Sequence, residues 1–262
     1  MNQQTESKFS AIEKTLEIIL KFADVDAEVG TQELSQLTGI HKATVSRILG
    51  TLCNYGMVSQ NYETKKYYLG PMAYRLGRSR SSQFISAFAS LSQKYIDQLR
   101  DVVKDTVSLE IWTENKTVVC YRAESTEPLR VAMTPADVLP LHAPAGAKAI
   151  LSHVGEEQVK RLLPLNLVKY TDRTIACRDV LLDRLVDYNK QGYAIDDQEL
   201  HPGIYAVGVA IFDGIRKPIA AVSVVMPASR VSADREDMIV QHLKATSRAI
   251  SKAINESGMA LL

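Results

Sequence analysis

The chain is poor in the features that announce a metal site, a membrane span or a disulfide scaffold. Its 262 residues hold three cysteines, Cys53, Cys120 and Cys177, odd in number and far apart. Without a CxxC pair they supply neither a disulfide framework nor a zinc signature. The longest apolar stretches, around residues 206–212 and 219–226, fall far short of the ~20 residues that span a bilayer. Residues 1–9 are polar and unlike a signal peptide, so a cytoplasmic location is expected. Excess charge is missing too: 31 basic residues against 30 acidic ones leave a net charge of +1. None of the five histidines (His41, His142, His153, His201, His242) sits in an HExxH or paired arrangement, so no metal is expected. There is no G-x-S-x-G elbow, no phosphate loop and no GxGxxG after a strand, so no motif assigns catalysis or a cofactor. An enzyme stays open on these grounds alone, because catalytic groups converge from distant sequence.

The most informative stretch is 31–52, TQELSQLTGIHKATVSRILGTL, which reads as two short helices joined by a tight turn. Thr31 suits an N-cap, and Leu34, Leu37 and Ile40 form an apolar stripe. Gly39 falls where the first helix must stop at positive φ. Val45, Ile48, Leu49 and Leu52 then recur at helical spacing and can pack back on Leu34 and Leu37. The opposite face carries Lys42, Thr44, Ser46 and Arg47, small or cationic side chains suited to a DNA major groove. By itself this is equally an ordinary helical hairpin with a solvated face.

The flanking sequence decides between the two. Residues 9–23 carry Ile12, Leu16, Ile19 and Leu20 at helical spacing, which predicts a helix over the hairpin. After 55–57 come two strand-like pieces, 58–60 and 66–69, around the polar loop 61–65. A β-hairpin directly after a helix-turn-helix is a wing, and Lys65 and Lys66 stand near its tip, able to reach backbone phosphate or minor groove. Charge is segregated to match: residues 41–80 hold seven basic side chains and one acid, whereas residues 1–40 hold three and seven. Phosphate contacts require such local asymmetry. A solvated surface produces it as well, and for Arg75, Arg78 and Arg80 taken singly that is the simpler reading.

Residues 72–104 read as helical in two pieces, 73–76 and 84–103, with Phe84, Ile85, Phe88, Leu91, Tyr95, Leu99 and Val102 apolar. From residue 105 strands and helices mix. Strands are expected at 107–113 and 117–123 around Glu114-Asn115, then at 129–133, 204–212 and 219–225. Helices are expected at 142–153, 156–163, 178–191 (with Val180, Leu181, Leu185, Val186 and Tyr188 apolar) and 233–256. The class is α+β, a largely antiparallel sheet with helices packed on it. The expected domains are 1–70, a winged helix-turn-helix; 71–104, a helical linker; and 105–262, the second domain.

Two features of that second domain bear on a ligand. Residues 141–148, LHAPAGAK, combine small side chains with a helix start, where exposed N–H groups cradle an anion. Tight helix-to-sheet packing requires the same small residues. Asp196, Asp197 and Glu199 form an acidic cluster, more often a turn bonding its own backbone than a metal site.

Taken in order, ELSQLTGIHKATVSRIL, YYLGP, PLHAPAGAKAIL, TDRTI, QGYAIDDQE, GIYAVGVAIFD and IAAVSVVMP make the chain resemble the IclR-type bacterial transcriptional regulators over nearly its whole length. The resemblance implies a winged helix, a helical linker and a GAF-like effector-binding domain, assembled as a homodimer or homotetramer. It implies a pocket in which Ala145 and Gly146 offer backbone N–H groups to a carboxylate. Asp196 accepts from a hydroxyl, Ser223 is polar, Leu139 is apolar, and Ala206 stands where a cysteine is frequent. The chain departs from the family pattern also at Ala147, Ala210 and Val225. The expected function is a ligand-responsive transcription factor reading a pseudo-palindromic double-stranded operator and sensing a small hydroxy, keto or sugar acid, with no cofactor, catalytic residue or membrane contact. An enzyme acting on a small acid through Asp196 and His142, and a ligand-independent DNA-binding or oligomerising protein, are the alternatives.

Overall fold

The computed structural model describes residues 10–25, 28–77, 80–113, 116–131 and 138–257, and it falls into two units, Met1–Gln83 and Phe84–Leu262. Phe9, Arg78, Glu114-Asn115 and Met133, used in the sequence reading, lie outside the described residues, as does the side chain of Arg80.

In the first unit, helix α1 (Ala11–Lys21) opens with a capping box. Ser10 Oγ accepts the Glu13 N–H at 3.2 Å, and Glu13 Oε2 accepts the Ser10 N–H at 2.7 Å. Helix α2 (Thr31–Thr38) is capped by Gly30 rather than Thr31, whose backbone is already helical. Gly39, at φ +67°, ends it. Helix α3 (Lys42–Asn54) starts at His41, whose Nδ1 accepts the Ala43 N–H at 3.3 Å. Strands β1 (Val58–Gln60) and β2 (Tyr67–Leu69) form the antiparallel wing, with Val29 bridging to Tyr67, and α4 (Pro71–Gly77) follows. Ile18, Phe22, Val29, Leu34, Ile40, Val45, Leu49, Leu52 and Val58 make the core.

Two expectations about that core are corrected. Leu37 is exposed. On α1 the side chains that turn inward are Ile18 and Phe22, while Ile12, Leu16 and Leu20 are 73%, 53% and 60% exposed. Helical spacing identifies apolar rows but not which row meets the chain's own core, and α1 carries two.

The second unit begins within α5 (Arg80–Val103), at Phe84. From Phe84 onward this helix belongs to the second core through Phe88, Ile96, Leu99 and Val103; Val102 points outward. Strands β3 (Thr106–Thr113), β4 (Lys116–Ala123), β5 (Val138–Leu139), β6 (Ala194–Asp197), β7 (Ile204–Phe212) and β8 (Pro218–Pro227) form one antiparallel sheet in the order β5-β4-β3-β8-β7-β6. Between β5 and β6 lie α6 (Ala145–Leu151), α7 (Glu156–Leu162) and α8 (Arg178–Gln191), and α9 (Ala233–Glu256) closes the unit.

Alternation along the strands separates two faces. Val107, Leu109, Ile111, Val207, Val209, Val222 and Val224 share a core with α5 and α9, the latter through Ile239, Leu243, Ile250 and Ile254. The opposite face, with Ser108, Glu110, Asp196, Ala206, Gly208 and Ser223, is covered by α6, which in turn packs on α8. Residues 129–131 are irregular, and the strand that edges β4 is β5. Pro144 holds extended backbone (φ −62°, ψ 144°), so the helix expected from residue 142 starts at Ala145. On α8, Val180 and Val186 are exposed while Leu181, Leu185 and Tyr188 are buried. Among the described residues no helix is long and apolar enough to cross a membrane.

Candidate effector cavity and nucleic-acid interface

The cavity exists because α6 stands directly on the sheet. At Gly208 an added Cβ would lie 2.6 Å from the Ala145 carbonyl carbon and the Gly146 nitrogen. At Gly146 it would lie 2.3 Å from Glu110 Oε2 and 2.7 Å from Ser223 Oγ. Both glycines are therefore needed for close approach, which is the packing requirement read from the small residues of this segment.

Beside this contact a cavity of about 120 Å³ opens. Leu139, Ala145, Asp196, Ala206 and Ser223 line it, together with Glu110, Val131, Pro144, Leu200, His201, Ile204 and Val225. Gly146 does not line it; its Cα sits behind the wall, against Glu110 and Ser223. His142 is also outside the lining: its Nε2 is 2.8 Å from the Val168 carbonyl and its ring stacks on Tyr170.

The acidic cluster is dismantled into separate jobs. Asp196 is the third residue of β6. Its Oδ1 accepts the N–H of Glu199 at 2.7 Å and of Leu200 at 3.4 Å, fixing the turn that follows. Burial pushes its carboxyl up to about 6, with the Lys148 charge and those N–H bonds pulling the other way. Asp197 pairs with Arg173. Glu199 pairs with the fully buried Lys148, whose Nζ also lies 5.7 Å from the Tyr188 ring centroid. Burial lowers the Lys148 ammonium, against the attraction of Glu199. Thr174 donates to the Glu199 carbonyl at 2.6 Å and Thr171 to that of Gln198 at 2.7 Å, so the TDRTI segment clamps the same turn. Among the described residues no group of three His, Cys, Asp or Glu is placed to hold a metal.

Glu110 is the lining residue that motif reading missed. Its signal was a lone acid inside an otherwise apolar or hydroxylic strand, TVSLEIW. It sits at a register shift between β3 and β4, where a bulge re-aims side chains. Oε1 accepts from Ser108 Oγ at 2.9 Å, while Oε2 and the nearby Ser223 Oγ are buried with no hydrogen bond of good geometry. Burial pushes this carboxyl up to about 7, opposed by the hydroxyls of Ser108 and Ser223 and reinforced by the charge of Asp196.

On the first unit, α3 presents Lys42, Ser46 and Arg47 to solvent, with Thr44 half-buried among them. Neither Lys42 nor Arg47 is held in an ion pair among the described residues. Lys65, at φ +57°, and Lys66 are both exposed on the wing, and Lys66 lies 3.8 Å from Glu33. The wing loop is braced: Glu28 accepts from Asn61 and from Thr64 at 2.6 Å each, and Asn61 Oδ1 accepts the N–H of Glu63 at 2.9 Å. Tyr62, 87% exposed in this loop, is a contact candidate that the charge-based reading passed over.

Comparison with known proteins agrees with this division. A family model described as the IclR C-terminal domain of bacterial transcriptional regulators matches residues 86–252, and one for the IclR helix-turn-helix domain matches residues 11–61. The chain is similar to the HTH-type transcriptional regulator KdgR of Escherichia coli K12, 30% identical over 234 residues that cover 89% of this chain and 88% of that one. It is also similar to the HTH-type transcriptional regulator BhcR of Paracoccus denitrificans, 29% identical with 94% and 85% covered. In fold it matches the crystal structure of an IclR transcriptional regulator from Alicyclobacillus acidocaldarius, with a TM-score of 0.72 at 22% identity over 94% of this chain and 99% of that one.

Proposed function

The chain belongs to the IclR family of bacterial transcriptional regulators and is a DNA-binding regulator, and from that premise we propose that it senses a small hydroxy or keto acid in its second unit. The observation that carries the proposal is the convergence of Asp196, Ser223 and Glu110 on one cavity whose remaining wall is apolar apart from His201. Its volume of about 120 Å³ favours a compact acid over a sugar or aromatic acid, since a cavity of ~150 Å³ is filled by benzene. In this reading the backbone N–H of Ala145, the lining residue of this pair, faces the ligand carboxylate. Asp196 accepts from its hydroxyl, Ser223 bonds a second oxygen, and Leu139 and Ala206 enclose the carbon skeleton.

Lys42, Thr44, Ser46 and Arg47 enter the major groove, with Lys65 or Lys66 on backbone or minor groove. The exposed row Ile12, Leu16 and Leu20 supports pairing of two DNA-binding units, so that the homodimer, or a tetramer built from it, reads half-sites about 34 Å apart or a multiple of that. The acid acts by binding the DNA-competent and incompetent arrangements with different affinity. Asp196→Ala tests the cavity. It should abolish the acid-dependent change in operator binding while apo binding persists; loss of apo binding together with the fold would make Asp196 purely structural.

A further inference from the structure

We infer that Glu110 sets which form of the ligand this cavity accepts: its carboxyl donates a hydrogen bond to the ligand carboxylate, so that each bound anion brings one proton with it. The inference rests on the cavity being the effector site and adds the protonation state and the residue that imposes it.

The geometry leaves little choice. Glu110 Oε2 and Ser223 Oγ are buried against Gly146, and neither is in a hydrogen bond of good geometry, although the Ser223 hydroxyl is close enough to favour the charged carboxylate. Buried polar atoms are otherwise nearly always bonded. Glu110 Oε1 is already occupied by Ser108, so only the second oxygen is available to a ligand. Among the described residues the lining contains no lysine or arginine. The titratable groups around Glu110 are Asp196 and His201 on the cavity wall and Cys120 on β4; the buried Lys148 behind Asp196 is held by Glu199. A ligand carboxylate entering here meets two protein carboxyls with no lysine or arginine on the wall to neutralise the third charge. Carboxyl groups forced together in a site of low polarity share a proton.

Of the two protein carboxyls, Glu110 is the one to carry it. Asp196 accepts two backbone N–H bonds, which favour its charged form, whereas Glu110 accepts no backbone N–H and is met only by the hydroxyls of Ser108 and Ser223, too little to offset its burial. The free Glu110 carboxyl stands at about 7, so protonating it near neutrality costs little. The balance is simple: one proton is taken from solvent onto Glu110 Oε2, is shared with a ligand oxygen, and returns to solvent on release. Below pH 7 the proton is already in place. Above it the proton must be taken up, and affinity falls about tenfold per pH unit.

The test is titration calorimetry of the full chain with glycolate, lactate and pyruvate at pH 6 and pH 8, in two buffers of different ionisation enthalpy. Binding should be about tenfold weaker at pH 8 than at pH 6, with close to one proton taken up per ligand at pH 8. Glu110→Gln, which donates at every pH, should bind with the same affinity at both. A wild-type affinity that does not change with pH, or no proton uptake at pH 8, overturns the inference without needing the variant. A Glu110→Gln protein that keeps the wild-type slope overturns it in favour of Asp196 or His201. Binding of none of the acids at either pH defeats the effector reading itself, a distinct result.

Discussion

Glu110→Gln also predicts a stability change that needs no ligand. In the folded chain burial raises this carboxyl from 4.5 to about 7, so ionising it in place is resisted. The raised value means that folding favours the protonated form. The contribution of this group to stability is therefore greatest below about pH 4.5, declines between pH 4.5 and 7, and is level above. The full decline is about 3 kcal/mol for this group, because each tenfold in the proton equilibrium is worth 1.36 kcal/mol. Glutamine has the same shape, keeps an oxygen for Ser108, and offers an N–H toward Ser223. It should remove the decline, so its stability relative to wild type should be about 2–3 kcal/mol more favourable at pH 8 than at pH 5. The readout is urea unfolding of the full chain at fixed concentration, followed through Trp112, the only tryptophan, two residues from Glu110 on the same strand. An equal difference at both pH values would refute the reasoning, since it would mean that Glu110 is ionised in the fold without penalty.

Three further outcomes are expected. Gly146→Ala forces a Cβ to within 2.3 Å of Glu110 Oε2. It should cost roughly 1–3 kcal/mol by overpacking, and a Glu110→Ala background should reduce that loss in the same urea measurement. Lys148→Ala leaves Glu199 buried without its cation and should cost about 3–5 kcal/mol, whereas the double change Lys148→Met with Glu199→Leu should recover most of it; denaturation of the three proteins compares them. Arg47→Ala should weaken operator binding by roughly 1–3 kcal/mol while non-specific DNA binding falls less. Equal loss on both DNAs in a gel-shift titration would make Arg47 a phosphate contact.

The parts of this molecule legible in the sequence are those governed by local rules. Gly39 ends α2, the polar loop after residue 60 makes the wing, and α9 spans the predicted residues, because turn chemistry and a sustained apolar period act within a few residues. What local pattern cannot supply is the choice of partner. Ile12, Leu16 and Leu20 look like core and face outward, and Leu37 does the same, since periodicity carries no record of what lies opposite. Val102 and Val103 exchange places for the same reason. Of the strand expected over 129–133 the described residues 129–131 are irregular, and the segment that pairs with Thr117 and Val118 is Val138–Leu139, a choice made by cross-strand pairing rather than by local propensity. The cavity shows both sides. Leu139, Ala145, Asp196, Ala206 and Ser223 follow from resemblance of motifs; strand register places Asp196, Ala206 and Ser223 on one face, and α6 standing on the sheet adds Ala145. Glu110 belongs to no motif, and only its burial beneath α6 gives a lone acid on β3 its meaning.

The central claim is that binding of a small acid in the second unit changes how the first unit holds DNA. It is tested most directly by measuring binding of the full chain to DNA fragments flanking its own gene, at fixed salt, with and without glycolate, lactate and pyruvate. The account predicts a sequence-specific complex whose affinity at least one of these acids shifts, with the shift lost in Asp196→Ala. A specific complex that none of them alters would contradict it, leaving a DNA reader whose second unit does not sense them.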